Sequence, residues 1–320
     1  SLPRNAYVSL ATLQEELRQD GLANALLVSG KDPSTPPDLE ASKQLARMLK
    51  PTIEDLGLLI TPVELSWLAK EPDQTVVLSY FSLSSTRMML EDDVITVAHK
   101  AFEKHTQQGV LTYLANAIYK VSAEQHAADG EGQVPEPREV VIVKSEVDNK
   151  KKSAAARLAG DKLVPYSLVA SVDSIPTLGP LLDDDGQLLS APGNDEIILT
   201  SWMADDMQAA VGDWIRLEYF DPETTHGKNV EMFVDLQVKA VVRLEQPQMP
   251  YGRRAKAIFS KPPTLANDPN LTPEVPGVTD QRSINDWDLP FPLIHRIRGL
   301  DDDFWNYHRT TPKAYVSLPV

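Results

Sequence analysis

Two stretches of this chain alternate apolar and polar residues with a period of two. In Trp214–Phe220, Ile215, Leu217 and Tyr219 alternate with Arg216 and Glu218. Further on, Val234, Leu236, Val238, Ala240 and Val242 alternate with Asp235, Gln237 and Lys239. Successive side chains of a strand point to opposite faces, so each stretch buries one face and wets the other. Between them Asp221–Asn229 carries Pro222, His226 and Gly227, which predicts a hairpin. Upstream lie an apolar strand at Glu196–Leu199, Ser201 as an N-cap, a helix over Trp202–Ala210 and a Gly212-Asp213 turn. Strand, helix, turn and hairpin in that order constrain residues 193–320 to a β-rich module.

The remainder alternates helical and strand patterns. Ala6–Val8 predicts a strand, Ser9 an N-cap, and Leu10, Leu13 and Leu17 one helical stripe ending near Gly21. With a strand at Asn24–Ser29, residues 1–30 form a closing β-α-β segment. A mixed α/β module is expected over 31–192. Its elements are a helix at Asp38–Lys50, strands at Leu56–Val63 and Thr75–Phe81, and a helix at Glu91–His105. That helix opens on acids and ends on Lys100, Lys104 and His105, as the macrodipole favours. Gly109–Tyr119, Glu139–Lys144 and Val164–Val172 predict further strands, with mobile loops near 123–138 and 146–162. The fold class is therefore α+β: mixed β-α modules with a second, β-rich one. Within the latter, 246–312 is a proline-rich insertion, Pro247–Pro312 holding ten of the 25 prolines. Long segments of this kind are usually functional, and this one is expected to pack over the β module and face a partner.

Composition narrows the chemistry. A net charge of −15 opposes binding to a phosphate backbone or an anionic membrane face, so no nucleic-acid partner is expected. The absence of cysteine removes disulfides, thiolate catalysis and Cys-based zinc sites. No apolar run approaches the ~20 residues of a membrane span, and no signal-peptide pattern is present.

Catalytic motifs are equally scarce. The sequence has no P-loop, no dinucleotide-binding glycine turn, no nucleophile elbow and no H-E-x-x-H pair. His99, Glu103 and His105 share a helix, but their spacing does not put two imidazoles on one face. The clusters Asp183–Asp185 and Asp301–Asp303 lack the alternating ligands and late Glu of a calcium loop, and turn and N-cap chemistry accounts for them. Asp286 and Asp288 flank Trp287, the ingredients of a carbohydrate hydrolase with an aromatic platform, yet neighbours in one loop do not supply facing carboxylates.

Longer stretches carry a family resemblance. Asn194–Phe220, with its strand, short helix and Gly212-Asp213 turn, resembles a recurring extracytoplasmic segment of MacB/FtsX-like ABC transporter permeases. Val238–Val242 matches the segment that follows. In the large bacterial FtsX-like subgroup, three more stretches are similar: Leu271–Asp280, Asp286-Trp287-Asp288, and Phe304-Trp305 through Pro312-Lys313-Ala314-Tyr315-Val316-Ser317-Leu318. Ala6–Leu10 repeats Ala314–Leu318 letter for letter, and Arg4–Gly30 resembles the closing segment of such a module. On that reading the chain runs from the tail of one module to the near-end of the next.

The resemblance implies the fold of MacB-like periplasmic core domains and a non-enzymatic role outside the cytoplasm of a bacterial inner-membrane protein. It implies no cofactor, metal or catalytic residue. The implied partners are the parent membrane helices, a separate cytoplasmic ABC ATPase subunit, and an extracytoplasmic protein, lipoprotein, peptide or other amphiphile as substrate. The signature positions, structural in role, would be Gly212, Asp213, Pro276, Gly277, Asp280, Asp286, Trp287, Pro312 and Lys313. A secreted carbohydrate-active hydrolase and a standalone binding module are the alternatives.

Overall fold

The structure is a computed structural model. It describes residues 8–17, 38–50, 52–68, 74–129, 138–139, 163–172, 180–220, 230–250, 259–275, 277–288 and 295–317, with single positions at 21, 23, 25, 27, 28, 34, 178 and 293. The chain divides into two compact units, Ser1–Leu56 and Gly57–Val320.

The first unit contains α1 (Leu10–Glu16) and α2 (Leu39–Met48). Ser9 Oγ accepts from Thr12 N at 3.1 Å to start α1, and Asp38 Oδ1 accepts from Ala41 N at 2.6 Å to start α2. Such caps satisfy backbone donors that have no partner inside the helix. Neither helix buries a residue. Ala25, Leu27 and Val28 stand outside any strand, and the rest of the expected Asn24–Ser29 strand lies outside the described residues, as does most of Ala6–Val8.

The second unit is α+β. Strands β1 (Leu58–Leu68) and β2 (Gln74–Ser85) form an antiparallel hairpin. After α3 (Asp92–Ala101) come β3 (Leu111–Val121), α4 (Ala123–Asp129), the two-residue β4 (Arg138–Glu139) and β5 (Val164–Ser171). Then follow β6 (Glu196–Thr200), α5 (Ser201–Met207), β7 (Trp214–Phe220), β8 (Val230–Val242), α6 (Gly299–His308) and β9 (Ala314–Val316). The order β8-β6-β9-β5-β3-β7 returns to β8, so six strands close into a barrel, with β4 appended to β8. Pairing is mixed: β6–β8 and β5–β9 are parallel, and the other contacts are antiparallel. Closure removes the free edges that an open sheet would expose. The barrel takes β3 and β5 from before residue 192 and its other four strands from after it.

Alternation decides what fills the barrel. Ile118, Ile197, Leu199, Ile215, Leu217, Leu236 and Val238 pack together as its core, closed at one end by Met203 and Met207 of α5. The expected β7–β8 hairpin is present, running from Trp214↔Gln237 to Phe220↔Glu231. The helix cap is one residue earlier than expected: Thr200 Oγ1 accepts from Met203 N at 3.3 Å, and Ser201 is the first helical residue.

One further expectation is corrected. Residues 123–129 are the helix α4, not part of a mobile loop. Ser122 Oγ accepts from Gln125 N and Gln125 Oε1 accepts from Ser122 N, both at 3.1 Å. That reciprocal capping box starts the helix, and His126 on it stacks on Trp214 with centroids 3.6 Å apart. The proline-rich stretch packs over the barrel, as expected. Leu265, Ala266 and Leu271 join Ile198 and Tyr315 in one buried cluster, and Val278, Ile284, Trp287 and Trp305 join Tyr166 in another. The loop expected near 146–162 lies outside the described residues.

Candidate functional site

The signature positions fall into two groups. Gly212 and Asp213 make the tight entry to β7. Gly212 has φ +93, a backbone region open to glycine at little cost, and its N–H donates to Val238 O at 2.8 Å. Asp213 Oδ2 accepts from Ala210 N at 2.8 Å and from Lys120 Nζ at 2.6 Å, which ties the turn to β3. Burial works against that carboxylate's charge, yet Lys120 and the Ala210 amide hold its pKa below the ordinary value.

The second group gathers in the proline-rich layer. Gly277 has φ +83 and accepts from Asp288 N at 2.9 Å, and a Cβ there would meet Asp288 Cβ at 3.2 Å. Asp286 ends a 3-10 turn, and Asp280 sits in the turn before it. Trp287 is no exposed platform for a sugar: it is buried edge-to-face on Trp305, centroids 5.0 Å apart. A small cavity between these elements and the barrel is lined by Trp287, Trp305 and Lys313. Pro312 is buried beside it, and Pro276 lies outside the described residues.

Lys313 is the chemical centre of this group. It immediately precedes β9, its backbone N donates to Leu168 O, and the residue is 3% exposed. The Nζ stands 4.5 Å from the Trp202 ring centroid and 4.8 Å from that of Phe304, with Asp301 Oδ1 at 3.7 Å. An ammonium over aromatic faces is attracted by their electron-rich centres. Arg298 completes the network. It donates from Nε to Asp301 Oδ2 at 2.8 Å, and from Nη2 to Asp301 Oδ1 at 2.6 Å and to Asp206 Oδ2 at 2.7 Å. Burial pushes the Lys313 pKa down to about 8, with Asp301 opposing the shift and the Arg298 charge adding to it. Burial would also lower Arg298, but its bonds to Asp301 and Asp206 raise it instead. The cluster joins α5, α6 and the start of β9 through two cations and two carboxylates.

His308 closes the same site, stacked on Phe304 at 4.6 Å. Burial, then the Lys313 charge, bring its pKa from 6.5 down to about 4. The neutral ring is thus the folded form, whereas the unfolded chain takes up a proton below 6.5. Stability contributed by neutral His308 is complete above that pH and is lost as pH falls through 6.5 toward 4. Between pH 8 and pH 5 the loss is about 2 kcal/mol from this residue. Urea unfolding of wild type and His308→Gln at the two pH values checks it; equal pH slopes in the two proteins would contradict the assignment.

A different cluster lies on the barrel wall. Ile215 and Leu217 point into the core, so Arg216 and Glu218 stand on the opposite face of β7, where both are buried. Arg216 grips Asp235 on β8 with two bonds of 2.6 and 2.7 Å and lies 4.0 Å over the Phe233 ring. Beyond it, Glu218 on β7, Glu231 on β8 and His295 of the proline-rich layer bring one ligand atom each to within 4.8 Å of one another. Among the described residues this is the group able to hold a metal ion. None of the three was singled out from sequence: Glu218 is one polar position of an alternating strand, and the others come from remote segments. His99, by contrast, bonds to Gln107 Oε1 through Nδ1 at 2.7 Å.

Against protein-family models and curated protein sequences the chain gives no match.

Proposed function

We propose that this chain is the extracytoplasmic, periplasmic region of an FtsX/MacB-like ABC transporter permease in a bacterial inner membrane. On this reading it acts by passing on movement rather than by catalysis. A separate cytoplasmic ATPase would drive the parent membrane helices. The region described here would convert their displacement into handling of a lipoprotein, peptide or other amphiphile, or into activation of a partner.

The observation that carries the reading is the succession β6, α5, Gly212-Asp213, β7 and β8. It occupies the residues on which the resemblance rests, and it is built as one stiff piece. The turn is pinned to β3 by Lys120–Asp213, and β6 and β7 are both laced to β8. A closed barrel of this kind transmits force because it has few soft degrees of freedom. The hairpin supplies an arm. Tyr80 of β2 donates to the buried Asp268 at 2.7 Å, while Phe81, beside it, is 76% exposed and Ile60 of β1 is 44% exposed. Apolar side chains on an anchored arm suit contact with an amphiphile.

The parent gene tests the proposal. Apolar segments of about 20 residues are expected on both sides of this region, with a P-loop ATPase encoded beside it. A parent frame that has neither overturns the reading.

A further inference from the structure

The cluster of Glu218, Glu231 and His295 is independent of the permease reading and stands whether or not that reading does. Three features set it apart from a chance meeting of acids. Its members come from β7, β8 and the proline-rich layer, and Glu218 and His295 are 3% and 6% exposed. Hydrogen bonds position them: Tyr119 Oη donates to Glu218 Oε1 at 2.8 Å, Asn116 Nδ2 to Glu231 Oε1 at 3.1 Å, and His295 N to Tyr166 Oη at 2.7 Å. The third feature is Asn116 itself. It is fully buried with its amide head against Glu231, and among the described residues its Oδ1 has no hydrogen-bond partner. A buried carbonyl oxygen without a donor is costly unless something electropositive reaches it.

We propose that Glu218, Glu231 and His295, with the buried Asn116 amide bonded to Glu231, form a binding site for one first-row divalent metal ion, with Zn²⁺ as the reference ion. Two carboxylates and an imidazole are the mixed oxygen and nitrogen donor set that such ions accept. Zinc–ligand bonds of about 2.0–2.2 Å require donors roughly 3–4 Å apart. The three donor atoms already lie within 4.8 Å of one another, close to that spacing. Burial favours the neutral imidazole that coordination requires. Tyr119 and Asn116 are the outer partners that orient the carboxylates, as hydrogen bonds commonly do around metal ligands. The bound ion would stitch the proline-rich layer to the barrel wall through His295.

The test uses the whole untagged chain, stripped of metal with a chelator and titrated with Zn²⁺ in a calorimeter. Binding of one ion per chain is expected, with a rise in the thermal midpoint when Zn²⁺ is in excess. Glu231→Gln and His295→Gln should each lose that stoichiometric binding and the thermal shift. Tyr119→Phe should bind about 10- to 100-fold more weakly. Co²⁺ should give visible d–d absorption with the wild type and not with Glu231→Gln. Glu231 is only half buried, and glutamine keeps an acceptor for Asn116, so this variant decides the matter if His295→Gln fails to fold. A wild-type chain that takes up no Zn²⁺ overturns the proposal. So does a folded Glu231→Gln that binds Zn²⁺ as the wild type does.

Discussion

Asn in place of Asp301 is expected to lower the unfolding free energy by about 3–5 kcal/mol, the usual cost of deleting one partner of a buried ion cluster. Asp301 is fully buried, and its oxygens accept from Arg298 N, Nε and Nη2 and face Lys313 Nζ at 3.7 Å. Asparagine keeps the shape but turns an amide toward the two cations and removes half of the negative charge that compensates them. Lys313 is hurt most, because Asp206 is held by Arg298. Two measurements decide it. Urea unfolding followed by tryptophan fluorescence gives the loss. The double variant Asp301→Asn, Lys313→Met should recover part of it, since the orphaned ammonium is then gone. A double variant no better than the single one would mean that Lys313 is not the group left uncompensated.

Trp305→Ala is expected to cost a similar amount, about 3–5 kcal/mol for a buried aromatic truncated in a packed core. Its ring stands edge-on to Trp287 and packs with Tyr166, Val278 and Ile284, while Nε1 donates to Gln281 O at 3.2 Å. The interest lies in how the cost is distributed. If the proline-rich layer and the barrel unfold together, the whole transition moves to lower urea. If the layer opens by itself, trypsin cuts at Arg282 sooner while the barrel's midpoint stays in place. The shared cluster around Tyr166 argues for the cooperative outcome, and early cleavage with an unmoved midpoint would contradict it.

What the sequence revealed depended on the range of the interaction that fixes each element. The β7–β8 hairpin was legible because alternation and a turn are local signals, and α3 was legible from its charge order. The α4 helix was not, although Ser122 and Gln125 stand at capping-box spacing: the glycines, prolines and glutamates that follow drowned the signal. Strand β9 has three residues, too few for a period to declare itself. Its place between β5 and β6, and its parallel pairing with β5, are set entirely by distant partners. That the proline-rich stretch packs over the β module was expected, but which of its residues are buried was not, for a related reason. Leu265, Leu271, Val278, Ile284 and Trp287 are buried at irregular spacings, because extended segments and 3-10 turns present apolar groups with no repeating period.

The two candidate sites divide along the same line. Gly212 and Asp213 were marked from sequence and Gly277 through a resemblance, and all three prove to hold turns. Lys313 was marked only through a resemblance, and the sequence had no means of showing Trp202, Asp206 and Asp301 around it. The carboxylates and imidazole at Glu218, Glu231 and His295 meet only because a barrel wall and the layer over it coincide. No spacing rule reaches that far.

The barrel's last strand sets a timetable. Strands β5 and β6 do not pair with each other; each pairs with β9. Once β8 is in place and until β9 is made, the wall therefore has a slit one strand wide, with backbone donors and acceptors bare on both lips. Bare strand edges are what drive newly made chains to stick to one another. A chaperone, or the proline-rich layer folding early across the gap, has to guard those lips until Ala314–Val316 arrives and shuts it.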